Sequence, residues 1–229
     1  MPRWNLVTRR GLLTRIAFAG TTRRSFANES QATATPITIL NQSSVDILQP
    51  MVDALQTQLD IHFLPIWGKT ATLTLKTGFP DPVSGEITCL VQDYMDISGL
   101  LGYHFCQTDG TPYVRVFARS IEASGQSISA VLSHELMELL ANPMANSFCL
   151  NDTGRGTGSL YNLEVCDPVQ QNYYDINGFT LSNFVTPRFY LATAPGPYDF
   201  LGTISAPFTP APGGRLPMKP VTGLPSIFG

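Results

Sequence analysis

No apolar run in this sequence is long enough to cross a bilayer. That excludes a helical membrane span. Charge is scarce: Asp, Glu, Lys and Arg make up 14% of 229 residues, and the formal net charge is −3. A chain with no basic excess offers no electrostatic footprint for nucleic acid. The four cysteines, Cys89, Cys106, Cys149 and Cys166, include no C-x-x-C pair, which argues against a zinc ribbon. Two disulfides in any of three connectivities, or buried free thiols, both satisfy their number. There are only three histidines, His62, His104 and His134. Glycine (19) and proline (18) are plentiful by contrast. Together these point to an α+β chain with many loops and modest sheets, not a helical bundle.

Acid is missing altogether from Met1 to Ala27, where six arginines sit among Ser, Thr and Ala. Such composition suits an organellar, mitochondrial type of transit segment. "TRRGLL" (Thr8–Leu13) also opens like a twin-arginine export signal, although Arg15 interrupts its apolar stretch. Residues 1–34 are therefore read as a basic extension, for targeting or disordered. Residues 35–193 form the folded domain, and 194–229, with eight of the 18 prolines, a Pro/Gly-rich tail.

Along the domain, "TPITILNQS" (Thr35–Ser43) reads as a buried strand. Val45, Leu48, Val52, Leu55 and Leu59 recur at helical spacing, predicting a helix from about Val45 to His62 with Ser44 as cap and Pro50 in its first turns. His62 then meets the helix C-terminus as a structural residue. "ATLTLKT", "EITCLVQDY" and "TPYVRVFARSI" alternate as strands, with "GFPDPVSG" as a loop and "DISGLLGYHFC" as a glycine-bearing connection. A second helix spans "SISAVLSHELMELLANP", with Ser127 as cap and Pro143 just past its end. A glycine-rich loop "NDTGRGTGS" and a short strand-like "LYNLEVCDP" follow. Asn177-Gly178, between two alternating runs, predicts a tight hairpin.

The chemistry concentrates in "SHELMELLANP" (Ser133–Pro143). His134 and Glu138, four residues apart, share one helix face and can reach one ion. Imidazole nitrogen and carboxylate oxygen both suit zinc. Glu135 is rotated about 100° from His134, beside an ion, where a general base belongs. Leu132, Leu136, Leu139 and Leu140 form the core-facing side. The third ligand is sought in "LEVCDP": Glu164 first, with Asp167 as alternative ligand or as a hydrogen-bond partner that orients His134. His104 is either a substrate or transition-state contact, and so a candidate catalytic residue, or a half-buried histidine beside Tyr103 and Phe105. Tyr161, Tyr173, Tyr174 and Tyr190 are pocket candidates that serve equally as core.

"SHELMELLANP", "YNLEVCDPV" and "INGFTLSNFVTPRFY" together resemble a zincin-like, metallopeptidase-related family of mostly uncharacterised bacterial and viral proteins. "LGYHFCQTDGTPYVRVF" and "ISAPFTPAPGG" extend the likeness, which covers roughly Pro36 to Gly214. The resemblance implies a zincin-like α+β fold: a mixed twisted sheet, two main helices with the metal motif on the second, and a hairpin-rich C-terminal part. It implies zinc held by His134, Glu138 and Glu164, with Glu135 as base, in a hydrolase acting on a peptide or protein. A carboxylate where zincins usually carry a second histidine shifts preference towards harder ions such as Mn²⁺ or Ca²⁺. The strand "YVRVFARS" is the expected edge for pairing with a peptide. Two other readings remain: an ion that only stabilises a structural or assembly protein, and a metal-free enzyme using Glu138 and Glu164 as paired carboxylates.

Overall fold

A computed structural model describes residues 33–78, 86–154 and 157–222. Residues 1–32 of the basic extension, most of the "GFPDPVSG" loop and the end of the tail lie outside the described residues. The chain divides into Met1–Gln31 and Ala32–Gly229, and everything below belongs to the second unit.

The element order begins β1 (Thr35–Asn41), α1 (Gln49–Thr57), a π-helical turn (Gln58–Phe63) and α2 (Leu64–Trp67). Next are β2 (Ala71–Thr77), β3 (Ile87–Gln92), β4 (Gly102–Cys106) and β5 (Pro112–Phe117). These five strands form a mixed sheet in the order β2-β1-β3-β5-β4. All neighbours are parallel except β4, which lies antiparallel to β5 at one edge. The interior strands carry apolar residues: Ile37, Ile39, Cys89, Val91, Val114 and Val116 are all buried. β5 is thus paired on both sides, so "YVRVFARS" cannot offer an edge to a peptide. The edge strands of this sheet are β2 and β4.

The first helix differs from its expected span. It starts at Gln49, with Pro50 in its first turn, and the helical path runs on to Trp67. Ser44 does not cap it; its backbone N–H donates to Asp93 Oδ1 instead (2.8 Å). The widened π turn precedes Pro65, which has no N–H to give to the preceding turn. Gly68, at φ +67°, ends the path. His62 is therefore not at a helix end. Its ring stacks on Phe200 at 4.7 Å, with Nδ1 3.0 Å from the Tyr174 hydroxyl.

"ARSI", read as the end of a strand, instead opens helix α3 (Ala118–Ser124). Its residues are good helix formers, Arg119 pairs with Glu122 at 3.0 Å, and Gly125 at φ +76° closes it. Helix α4 (Ile128–Ala141) carries the His-Glu motif. Ser127 takes the cap position, but its hydroxyl bonds Ser129 Oγ (2.8 Å) and not a backbone N–H. α1 and α4 touch, and α4 packs on β4 and β5.

Helix α4 is not the two-sided element its leucines suggest. Leu132, Leu136, Leu139 and Leu140 are buried, but so are Ser133, Glu135, Met137 and Glu138. The second side is roofed by the C-terminal half of the chain. β6 (Phe148–Gly154) and β7 (Thr157–Asn162) replace the expected loop, and β10 (Met218–Thr222), from the tail, pairs along β7. β8 (Tyr173–Ile176) and β9 (Phe179–Ser182) form the expected hairpin. Asn177 (φ +53°) and Gly178 (φ +84°) supply its turn. Ser182 N–H donates to Ser133 Oγ at 2.8 Å, tying β9 to α4. All four cysteines are free thiols. No helix among the described residues is long and apolar enough to cross a membrane.

Candidate metal centre

Three elements bring six titratable side chains together. β4 contributes His104, α4 contributes His134, Glu135 and Glu138, and the turn after β7 contributes Glu164 and Asp167. The alternation of β4 turns His104 towards α4 and leaves Phe105, 52% exposed, on the opposite side. Close approach of β4 to α4 depends on Gly102. A Cβ there would stand 2.8 Å from Val131 Cγ1 and 2.9 Å from Glu135 Cγ. Gly102→Ala is expected to wedge the two elements apart and cost about 1–3 kcal/mol of stability. Urea unfolding measures it, and an unchanged midpoint would mean that the contact gives way freely.

Segment 163–167 is not a strand. Its backbone is fixed by the groups around it: Val185 N–H donates to Val165 O (2.7 Å), and the Tyr190 hydroxyl donates to Glu164 O (2.9 Å). The N–H groups of Cys166 and Asp167 both donate to Glu138 Oε1 at 3.1 Å. Glu138, 4% exposed, is thereby anchored from the turn, and the turn from Glu138. Helix α4 ends on Asn142, whose Oδ1 accepts from the N–H groups of Asn146 and Ser147, turning the chain towards β6.

His134 Nε2 lies 3.3 Å from Glu138 Oε1 and 3.5 Å from Asp167 Oδ1. Asp167, not Glu164, is the carboxylate brought to His134 and Glu138. Glu164 turns instead to His104, with Oε2 3.6 Å from Nε2. The other nitrogen of that ring, Nδ1, faces Glu135 Oε2 (3.7 Å) and Glu138 Oε2 (3.8 Å). Two groups of three residues place ligand atoms within 4.8 Å of one another: His134, Glu138 and Asp167, and His104, Glu135 and Glu138. The Arg215 guanidinium closes the rim, 3.3 Å from Asp167 Oδ1. Nothing in the sequence signalled Arg215, which reaches the site from the tail. Of the four tyrosines considered, Tyr173 alone lines the cleft described next, while Tyr174 donates no pocket wall and instead bonds Gln58 (2.9 Å).

Four carboxylates face two imidazoles and the Arg215 guanidinium in a largely buried place. Burial, aided by the charge of Glu138, raises Glu164 to about 8. Glu135 is also raised, chiefly by burial. Burial works against the charged form of His104, but the Glu135, Glu138 and Glu164 carboxylates outweigh it and leave the ring at about 9. The same contest, won by Glu138 and Asp167, holds His134 well above its ordinary value. Asp167 is lowered: burial opposes its ionisation, but His134 and Arg215 prevail.

This donor set fits a divalent cation. Ligands about 2.0–2.2 Å from a tetrahedral zinc lie roughly 3.3–3.6 Å from each other, which matches the 3.3 and 3.5 Å separations around His134. Direct hydrogen bonds would be shorter. Moreover, His104 Nε2 and Glu164 Oε2 are buried polar atoms without a hydrogen-bond partner. His134 and Glu135 line an open cleft of about 210 Å³, walled also by Leu101, Gly102, Tyr173 and Arg215. No protein-family model, curated protein or solved structure matches the chain.

Proposed function

We propose that the chain is a metal-dependent hydrolase of zincin-like fold, acting on a peptide or protein and using zinc, with Mn²⁺ or Ca²⁺ as alternatives. One observation carries it: His134, Glu138 and Asp167 converge at ligand spacing directly beside Glu135 on the wall of an open cleft. His134, Glu138 and Asp167 would hold the cation, which supplies a Lewis acid that polarises a carbonyl and activates water. Glu135 takes the proton of the attacking water and returns it to the leaving amine. Its burial, which raises its proton affinity, suits it to both transfers. β4, the antiparallel edge strand beside α4, offers backbone groups to an extended peptide above the cleft. That edge lying alongside the motif helix is also what supports the zincin-like reading of the fold.

A structural ion is the second reading. It is favoured by how the cluster ties β4, α4 and the turn after β7 together, with His104, Glu135 and Glu138 all buried. Elemental analysis of protein purified without added metal, beside His134→Ala, tests the shared premise. About one zinc per chain, lost in the variant, is the expected result. A peptide-library digest then separates the readings: cleavage abolished by a chelator and restored by zinc supports the hydrolase. No metal in the wild type, even after adding zinc, manganese or calcium, removes both.

A further inference from the structure

We propose that Arg215 is the specificity residue of the cleft, its guanidinium binding a carboxylate of the substrate, on an acidic side chain or at a chain terminus, next to the bond that is cut. The place beside a bond that is cut rests on the hydrolase reading above. The capture of a carboxylate rests on Arg215 and its surroundings alone.

Three observations carry it. First, Arg215 is built into its place. Its backbone N–H donates to Asp167 O (2.8 Å), and Ala211 N–H donates to Pro168 O (2.9 Å). Gln170 Nε2 donates to Gly213 O (2.8 Å). The tail lies so close to the turn that a Cβ on Gly214 would stand 2.1 Å from Pro168 O. The backbone of Arg215 is thus pinned to the segment that presents Asp167, and a fixed starting point lowers the entropic cost of holding a ligand. Second, the guanidinium is only partly used. Nη2 lies 3.3 Å from Asp167 Oδ1, its one side-chain hydrogen bond among the described residues. A guanidinium carries five N–H donors in a planar fork that fits a carboxylate with two parallel bonds. The side chain is 60% exposed and lines the cleft, so donors remain for an incoming carboxylate. Third, the cleft suits one anionic group. Besides Arg215 its titratable lining is His134, Glu135 and Tyr173. Glu135, the one carboxylate among them, is buried, whereas Arg215 stands in solvent at the mouth. An entering carboxylate meets the guanidinium before it meets Glu135. The volume of about 210 Å³ is below the roughly 300–1,000 Å³ of a site for a drug-sized ligand, which leaves room for a residue or so of a peptide. The Asp167 oxygen that Arg215 touches also faces His134 at 3.5 Å, so a carboxylate on Arg215 lies beside the proposed metal ligands.

The test uses three short N-acetylated peptides of one sequence: one neutral with an amidated end, one with a free C-terminus, and one amidated with Glu in place of Gln. Binding is measured by calorimetry on the full chain after chelator treatment, where no metal competes for the carboxylate, and cleavage is followed with zinc added. One of the carboxylate peptides is expected to bind the wild type about 10- to 100-fold more tightly than the neutral one, the usual worth of hydrogen bonds to a charged group. A preference for the free C-terminus assigns the carboxylate to a chain end, and a preference for the Glu peptide assigns it to a side chain. Arg215→Gln should abolish the difference, and Arg215→Lys should keep part of it, because an ammonium keeps the charge without the fork. With zinc present, Arg215→Gln should raise KM for the preferred peptide and leave kcat, since a carboxylate held off the reacting atoms binds ground and transition state alike. Equal binding of all three peptides by the wild type, or a preference that survives in Arg215→Gln, overturns the specificity role. Cleavage of the peptides in that case leaves the hydrolase reading standing. Carboxylate binding that depends on Arg215, with no peptide cleaved, supports the Arg215 site and removes the hydrolase reading.

Discussion

Replacing Glu135 by Gln is expected to lower peptide hydrolysis about 10²- to 10⁴-fold, the usual worth of a positioned general base, while metal content stays unchanged. The two side chains are nearly the same size, so the close packing of Glu135 beside Gly102 survives. What is lost is the capacity to hold a proton and give it back. Glu135 is rotated off the His134–Glu138–Asp167 group and lines the cleft wall, so its removal leaves those three donors in place. The measurement is the rate on a cleaved peptide beside elemental analysis of the same sample. Activity within tenfold of wild type would take Glu135 out of proton transfer. Loss of the metal along with activity would make Glu135 a ligand.

The metal-free chain is expected to lose thermal stability as pH rises from about 6 to 9, by on the order of 5–10 °C for a domain of this size. The direction follows from two groups. Burial, then the charge of Glu138, lifts Glu164 from 4.5 to about 8. Burial depresses His104, but the surrounding carboxylates lift it from 6.5 to about 9. Both bind a proton more tightly in the folded than in the unfolded chain. Their stabilising protons are fully present below the unfolded values and are lost as pH climbs, through about 8 for Glu164 and about 9 for His104. A cation takes the place of those protons among the carboxylates, so zinc or Mn²⁺ added at pH 9 should restore the lost degrees. Melting curves of chelated and reloaded protein across pH 6 to 9 test it. A flat profile without metal would mean that the cluster rearranges to release its strain on its own.

Helix α4 and its chemistry were legible because a helix is a local object. The four-residue step that puts His134 and Glu138 on one face, the leucines opposite and Pro143 beyond the end are all set within 14 residues of chain. Strands β1 and β2 and the Asn177-Gly178 hairpin were legible for the same reason, since alternation and turn chemistry need no distant partner. β6 and β7 were not. Asp, Asn and Gly make poor strands, and β7 gains its second partner only when β10 arrives from the tail.

The sequence by itself determined that an imidazole and carboxylates would meet on a helix, with a further acidic pair some 26 residues on. Only the tertiary structure decided which carboxylate meets which histidine. That choice is made by backbone groups of the turn after β7. Two of its N–H groups grip Glu138, its Glu164 carbonyl accepts from Tyr190, and its Asp167 is fastened by Arg215. None of these contacts has a signature in spacing. His104 shows the same limit. Strand alternation could put it on one face of β4, but its place among Glu135, Glu138 and Glu164 exists because the sheet sets β4 at the edge and Gly102 lets α4 come close. Local periodicity fixes which side chains point together along one element; long-range packing fixes what they point at.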